Sequence, residues 1–246
     1  RWWKEIDSSA YLLNELEKNE LTISSYTDGV TVQEFSNLWN IVRPRFVPLI
    51  TSNETSFANA FKNMNTIEAI GEITGNIEDL SSAFEGCVAL KYLPSMITSN
   101  CLFCDFTFKN CFNLRHIADF NMASCTSSVS MCENCYALVD AYLTNTGNLE
   151  NASKMFYNCY SLTTVNELDF SSVTSCGNIF SGCSLLTTCK INNLNIDISF
   201  EDTMHLSKES LIYCIEHAGN SSITITLDSV LLSKYSRDSQ VQEALQ

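Results

Sequence analysis

The sequence predicts an α/β solenoid, a stack of 24-residue coils that each carry a short parallel strand and a short helix, with helical or strand caps at both ends. Three observations predict it. The segments FEGC, FKNC, CENC, FYNC and FSGC begin at Phe84, Phe108, Cys132, Phe156 and Phe180, one such period apart each time. A looser copy, FKNM, begins at Phe61, one position short of a full period before Phe84, and Met204, a full period after Phe180, is the expected last anchor. Downstream of each anchor, small or apolar residues recur in columns, as stacked coils need in order to share one core. Two residues after each anchor only Asn or Gly occurs: Asn63, Gly86, Asn110, Asn134, Asn158 and Gly182.

Each element follows from this frame. Residues 1–52 show no period. Within them SSAYLLNELEKNE reads as a helix, and GVTVQEF and FVPLI as strands, so the segment is either an N-terminal cap or a linker to a neighbouring domain. The chain starts at Arg1 without a Met, which suggests a fragment or processed product, with further domains or assembly partners upstream. Residues 53–204 are the repeats. The column three after the anchor is Met64, Cys87, Cys111, Cys135, Cys159 and Cys183, and six after it stand Ile67, Leu90, Leu114, Leu138, Leu162 and Leu186. Nine after it are Ile70, Leu93, Ile117, Ala141, Val165 and Cys189. Upstream, sets such as Val173, Cys176, Ile179 and Phe180 have the spacing of one face of a short helix. The Asn or Gly after the anchor tolerates φ > 0 and is expected to end that helix with a left-handed cap. Residues 205–246 form the C-terminal cap. There Ser207 is the expected N-cap of a helix ending near Gly219, Ile223, Ile225 and Leu227 alternate as a half-buried strand, and one or two short helices complete the chain.

The pattern (A/M)-F-x-(G/N)-C-x-x-L-x-x-(I/V/L) resembles the BspA-type leucine-rich repeats of bacterial surface proteins, common in gut Bacteroidetes, over about residues 53 to 204. Its departures are Met64 for Cys, Cys132 for Phe, and the polar Asn192 and Asn193 in the coil that starts at Phe180. The stretch LSKESLIYCIEHAG…ITITL also resembles the C-terminal segment found after such repeats. The resemblance implies a right-handed, curved solenoid of leucine-rich-repeat type, with a parallel sheet on one face used for binding.

Composition narrows the function. Acidic residues outnumber basic ones 28 to 14, and the net charge of −14 repels nucleic acid and anionic lipid. No apolar run approaches the roughly 18 residues of a membrane span. Charged residues are 17% of the chain, so Ser, Thr and Asn must supply much of the polar surface. The 12 cysteines could mean disulfides, metal sites or packing. Cys101 and Cys104, and Cys132 and Cys135, have zinc-ribbon spacing, yet all four fall on columns that other coils fill with Leu, Phe, Val or Ala. Neighbouring coils at about 4.8 Å would permit bridges, but stacked side chains point the same way. Buried free thiols are therefore expected, with no metal and no cofactor. The three histidines, His116, His205 and His217, sit in no hydrolytic or nucleotide-binding motif, so no catalytic residue is assigned. The N-x-S/T matches at Asn53, Asn151 and Asn220 are assigned no glycans.

The sheet face offers a candidate binding surface. If the ninth residue after the anchor points inward, the eighth and tenth point outward. Those columns bring together Tyr92, His116, Asp140, Tyr142, Thr164, Asn166, Thr188 and Lys190. Aromatic and hydrogen-bonding groups so arranged suit a glycan or an extended polypeptide, and His116 next to Asp140 suggests pH-dependent binding. Next to the anchors, Lys62, Glu85, Lys109 and Glu133 alternate in charge and predict an ion-pair ladder that fixes register. The expected function is a non-enzymatic adhesion module, extracellular or at the cell surface, engaging protein or glycan on a host or bacterium. The alternatives are a bacteriophage tail or fibre component in the virion and, third, a hydrolytic enzyme.

Overall fold

The computed structural model describes residues 45–51, 54–93, 95–220 and 222–245. The helix expected within SSAYLLNELEKNE and the strand expected at GVTVQEF lie outside them. The expected FVPLI strand is present as β1 (Phe46–Thr51). It is followed by β2 (Ala69–Thr74), β3 (Ser95–Met96), β4 (His116–Asn121), β5 (Asp140–Thr144) and β6 (Thr164–Val165). Then come β7 (Leu168–Asp169), β8 (Ile191–Asn192) and β9 (Ile198–Phe200). All pair in parallel between coils, in the orders β1-β2-β3, β4-β5-β6 and β7-β8. Consecutive coils therefore stack on one another as a repeat solenoid, and one buried core runs along the stack. The columns three and six residues after the anchors are buried in every coil from Met64 to Leu186. Anchor rings stack along the core, with Phe61 on Phe84 at 5.0 Å and Phe156 on Phe180 at 5.9 Å between centroids.

The expected short helix in each coil is not formed. Its buried face is as predicted, with Val173, Cys176, Ile179 and Phe180 all inside, but the backbone is a chain of tight turns. The N–H groups of Phe57, Asn59, Phe61 and Asn63 donate to the carbonyls of Asp79, Ser81, Ala83 and Glu85 in the next coil, at 2.7–2.9 Å. Those of Ala60, Lys62 and Met64, between them, bond to carbonyls three residues back. An α-helix would turn every N–H inward to the fourth preceding carbonyl. Here alternate groups face the neighbouring coil instead. Left-handed residues permit this. Asn63, Gly86, Asn110, Asn134, Asn158 and Gly182 all have positive φ, as expected, and so do Asn59, Ser82, Phe106, Ser130, Lys154 and Asn178, four residues earlier in each coil.

The last coil also departs from expectation. Met204 is exposed, and the ring stacked on Phe180 at 5.5 Å is that of Phe200. Thr203 and Leu206, both fully buried, take the third and sixth places after it. This coil is shortened, so its anchor comes four positions earlier than a constant period would put it. Beyond it, α1 (Lys208–Glu216) starts at Ser207, whose side chain accepts the Ser210 N–H. Strand β10 (Ile225–Leu227) pairs in parallel with β9, and α2 (Ser229–Tyr235) and α3 (Ser239–Ala244) complete the C-terminal segment.

Candidate functional site

The sheet face is built by register. His116 pairs with Asp140, Asp140 with Thr164 and Thr164 with Thr188, so these four side chains lie on successive coils. Tyr92 is bridged to Ala69 in the coil before it, and β3 and β4 belong to separate ladders. His116 Nδ1 lies 2.8 Å from Asp140 Oδ2, with Asp140 the more sheltered of the two. Tyr92 and Tyr142 are exposed, by 39% and 46%, Tyr142 two residues beyond Asp140 on β5 and Tyr92 on the coil before His116. Of these residues His116, Asp140 and Tyr142 share the ladder β4-β5-β6, with one imidazole–carboxylate hydrogen bond among them.

Two members of the predicted set are committed elsewhere. The Asn166 side-chain amide bonds both backbone groups of Leu143, donating to its carbonyl at 2.6 Å and accepting its N–H at 2.7 Å. It thus replaces a strand partner where β6 has ended and β7 has not begun. Lys190 Nζ sits 5.0 Å above the ring of Tyr213 on α1, a cation–π contact that ties the sheet face to the cap. Tyr213 in turn stacks on His217 at 3.9 Å. Thr164 is half-buried and Thr188 exposed.

The cysteines have a structural chemistry of their own. All 12 are buried and unbridged. The thiols of Cys87, Cys111, Cys135, Cys159 and Cys183 each donate to the carbonyl of the anchor residue in the preceding coil, at 3.0–3.1 Å. Burial pushes the Cys87 and Cys183 thiols up to about 12, so they stay protonated and are poor nucleophiles. Among the described residues no group of three or more His, Cys, Asp or Glu side chains is placed to hold a metal ion.

Comparison with known families places this architecture. A family model described as "Mycoplasma protein of unknown function, DUF285" matches residues 51–163 and again 78–194, together more than half of the chain. The chain belongs to the DUF285 family. The match falls on the repeat coils. Among solved structures the DUF285 chain is similar to the crystal structure of a T. pallidum leucine-rich repeat protein, with 16% identity over 67% of this chain and 80% of that one, at a TM-score of 0.48. No curated protein matches the sequence. Among the described residues of the DUF285 chain, no helix is long and apolar enough to cross a membrane.

One surface feature of this DUF285 chain goes beyond the residues that the sequence pattern singles out. Four residues after the anchors stand Phe112, Tyr136 and Tyr160, which stack face to face at 5.0 and 5.2 Å on the surface. All three are exposed, Tyr160 by 47%. The signal lies in the same repeat frame, in a column immediately after the cysteines.

Proposed function

We propose that this chain is a non-enzymatic binding module of the bacterial surface, which recognises an extended polypeptide or glycan through its sheet face. The observation that carries the reading is the His116–Asp140 pair on the parallel strands β4 and β5, with exposed Tyr142 two residues beyond Asp140 and exposed Tyr92 on the coil before His116. A repeat scaffold holds such groups at fixed spacing, so little ordering cost is incurred on binding. Exposed tyrosines offer large contact area with a polar tip, as binding surfaces use them. Nine of the 12 thiols are held above their ordinary value and stay protonated, which favours a packing role for them over a nucleophilic one.

The test is a screen of the protein against glycan and matrix-protein arrays, followed by a variant combining Tyr92→Ala, His116→Ala and Tyr142→Ala. Asn166 is left intact because its amide holds the Leu143 backbone. Binding to the hit should fall at least tenfold while the thermal midpoint stays near that of the parent. Undiminished binding by the folded variant would show that the sheet face is not the recognition surface.

A further inference from the structure

The exposed aromatic stack ends abruptly. Its rungs are Phe112, Tyr136 and Tyr160, on successive coils, and the next two residues in the same column are Ser184 and Met204. Met204 belongs here because the shortened last coil is anchored at Phe200, four residues before it. A serine where a ring would stand leaves a slot. With coils spaced by about 4.8 Å, Tyr160 and Met204 bracket a gap of two spacings, about 10 Å between their levels. That gap opens into a cavity of about 340 Å³ lined by Tyr157, Tyr160, Ser184, Met204, Asp202 and Asp228.

The faces of Tyr136 are covered by its neighbours, whereas among the described residues no further ring stacks on the Ser184 side of Tyr160. Tyr157 already has a cation, Lys154 Nζ at 5.6 Å from its centroid. Tyr160 is therefore the end of the stack that borders the slot. Two carboxylates border the slot. Asp202 Oδ2 accepts from Ser181 Oγ at 2.7 Å and from the Gly182 N–H at 2.9 Å, leaving Oδ1 without a partner among the described residues. Asp228 Oδ1 caps α2 by accepting the Val230 N–H at 2.7 Å, leaving Oδ2 likewise. Among the described residues neither Asp has a Lys, Arg or His within ion-pair distance.

We propose that this slot is a binding site for an arginine side chain presented by a protein partner. The chemistry selects the guest. A planar group is needed to take the place of the absent rung between a tyrosine face and a thioether. A cation meets two carboxylates that have no counter-charge among the described residues. A guanidinium is both: it stacks on aromatic faces and binds carboxylates in pairs of parallel hydrogen bonds. Lysine offers the charge without the plane. A neutral sugar offers neither. The net charge of −14 draws a basic segment to the surface, and the slot then fixes one residue of it. The site is separate from the sheet-face patch and does not depend on it.

The test is titration of the full chain, by calorimetry and by NMR of its tyrosine resonances, with a capped Gly-Ser-Arg-Ser-Gly peptide and with counterparts carrying citrulline or lysine instead of arginine. Citrulline keeps the planar shape and removes the charge. The arginine peptide should bind at least about tenfold more tightly than the citrulline peptide and more tightly than the lysine peptide. Asp202→Asn with Asp228→Asn should weaken it about tenfold, since Asn still accepts the Gly182 and Val230 N–H groups and caps a helix nearly as well as Asp. Tyr160→Ser, the residue that Ser184 places one coil later, should weaken it roughly threefold. A control, Glu150→Gln with Glu243→Gln, makes the same change in net charge at exposed positions outside the slot and should leave binding unchanged. Equal affinity for the arginine and citrulline peptides would overturn the proposal. So would a control variant as weak as the Asp202 and Asp228 variant, or a neutral oligosaccharide that shifts the Tyr160 resonances when the arginine peptide does not.

Discussion

At single residues, what the coil requires is a donor, a size and a backbone sign. The cysteine after each turn is fully buried, and its S–H reaches the anchor carbonyl of the coil behind at 3.0–3.1 Å. Leu would fill more space but donate nothing, and a larger polar residue would not fit a close-packed core. One residue earlier the requirement is a left-handed backbone, and Asn satisfies a second demand as well. Asn134 has φ 64°, its amide donates to Asn110 Oδ1 at 2.8 Å, and it accepts from Asn158 at 3.0 Å. Replacing Asn134 by Ala should therefore cost about 1–2 kcal/mol more than replacing it by Gly, which loses the same amide bonds but adopts positive φ without strain. Denaturant unfolding of the two variants measures the difference directly, and equal midpoints would show that the backbone sign is unimportant there.

Among elements, the strands and the turn stack differ in how far the sequence reveals them. The strand face was legible because outward residues alternate with buried ones such as Ile117, Ala141 and Val165. The C-terminal helix was legible from Ser207 and its apolar spacing. The turn stack was not. Its second set of left-handed residues includes Phe106, Ser130 and Lys154, types with no common preference for positive φ. Bonds to the neighbouring coil impose that conformation, and contacts between coils are invisible in a local pattern. Asn166 misled for a related reason, since nothing near it in sequence reports that Leu143 lacks a strand partner. The shortened last coil hid Phe200, because a fixed period pointed to Met204. Coil-to-coil ion pairing, by contrast, appears as expected, with Lys62 to Glu85 at 2.9 Å and Lys109 to Glu133 at 3.0 Å. A further link joins three coils through Glu68, which is nearly buried between Arg45 and Lys91, the latter at 2.8 Å. Burial alone would raise the Glu68 carboxyl, but hydrogen bonds and charge from Lys91 and Arg45 outweigh it and hold the group below 4.5. A carboxyl lowered by folding adds stability above its unfolded value and loses it as pH falls through the folded value. Glu68→Gln should therefore unfold earlier than the parent near neutral pH, and the two midpoints should converge in acid below about pH 4. A difference that persists unchanged into acid would mean that the carboxylate charge is not the source.

For the whole molecule, the burial of all 12 cysteines couples stability to alkaline pH through the thiols that are raised, Cys101 being lowered instead by its hydrogen bond with Cys104. Nine of them are raised above 9.0, to about 11 or 12 where the shift is resolved in size. Burial is the main cause at all of these except Cys104, where the neighbouring Cys101 and Cys125 thiols come first. The sign follows from the proton count. As pH rises past 9.0, the unfolded chain sheds thiol protons that the folded chain keeps, so unfolding gains ground. The stabilisation is complete below that value and is lost progressively towards about 12. Thermal midpoints recorded with a reductant present should fall steeply between about pH 9 and pH 11, and a flat profile across that interval would contradict the buried, protonated state of the thiols.

The direction of the backbone bonds has a mechanical consequence. In the turn stack and in the sheet alike, the bonds between coils run from one coil to the next, along the axis of the stack. Tension applied between the two ends of the solenoid therefore opens each interface like a zipper, a few bonds at a time, instead of shearing a whole row at once. A single coil peeled from the end releases about 80 Å of extended chain. The molecule under load would lengthen in small, repeated steps while the remaining coils stay stacked, and would behave as an extensible tether more than as a rigid rod.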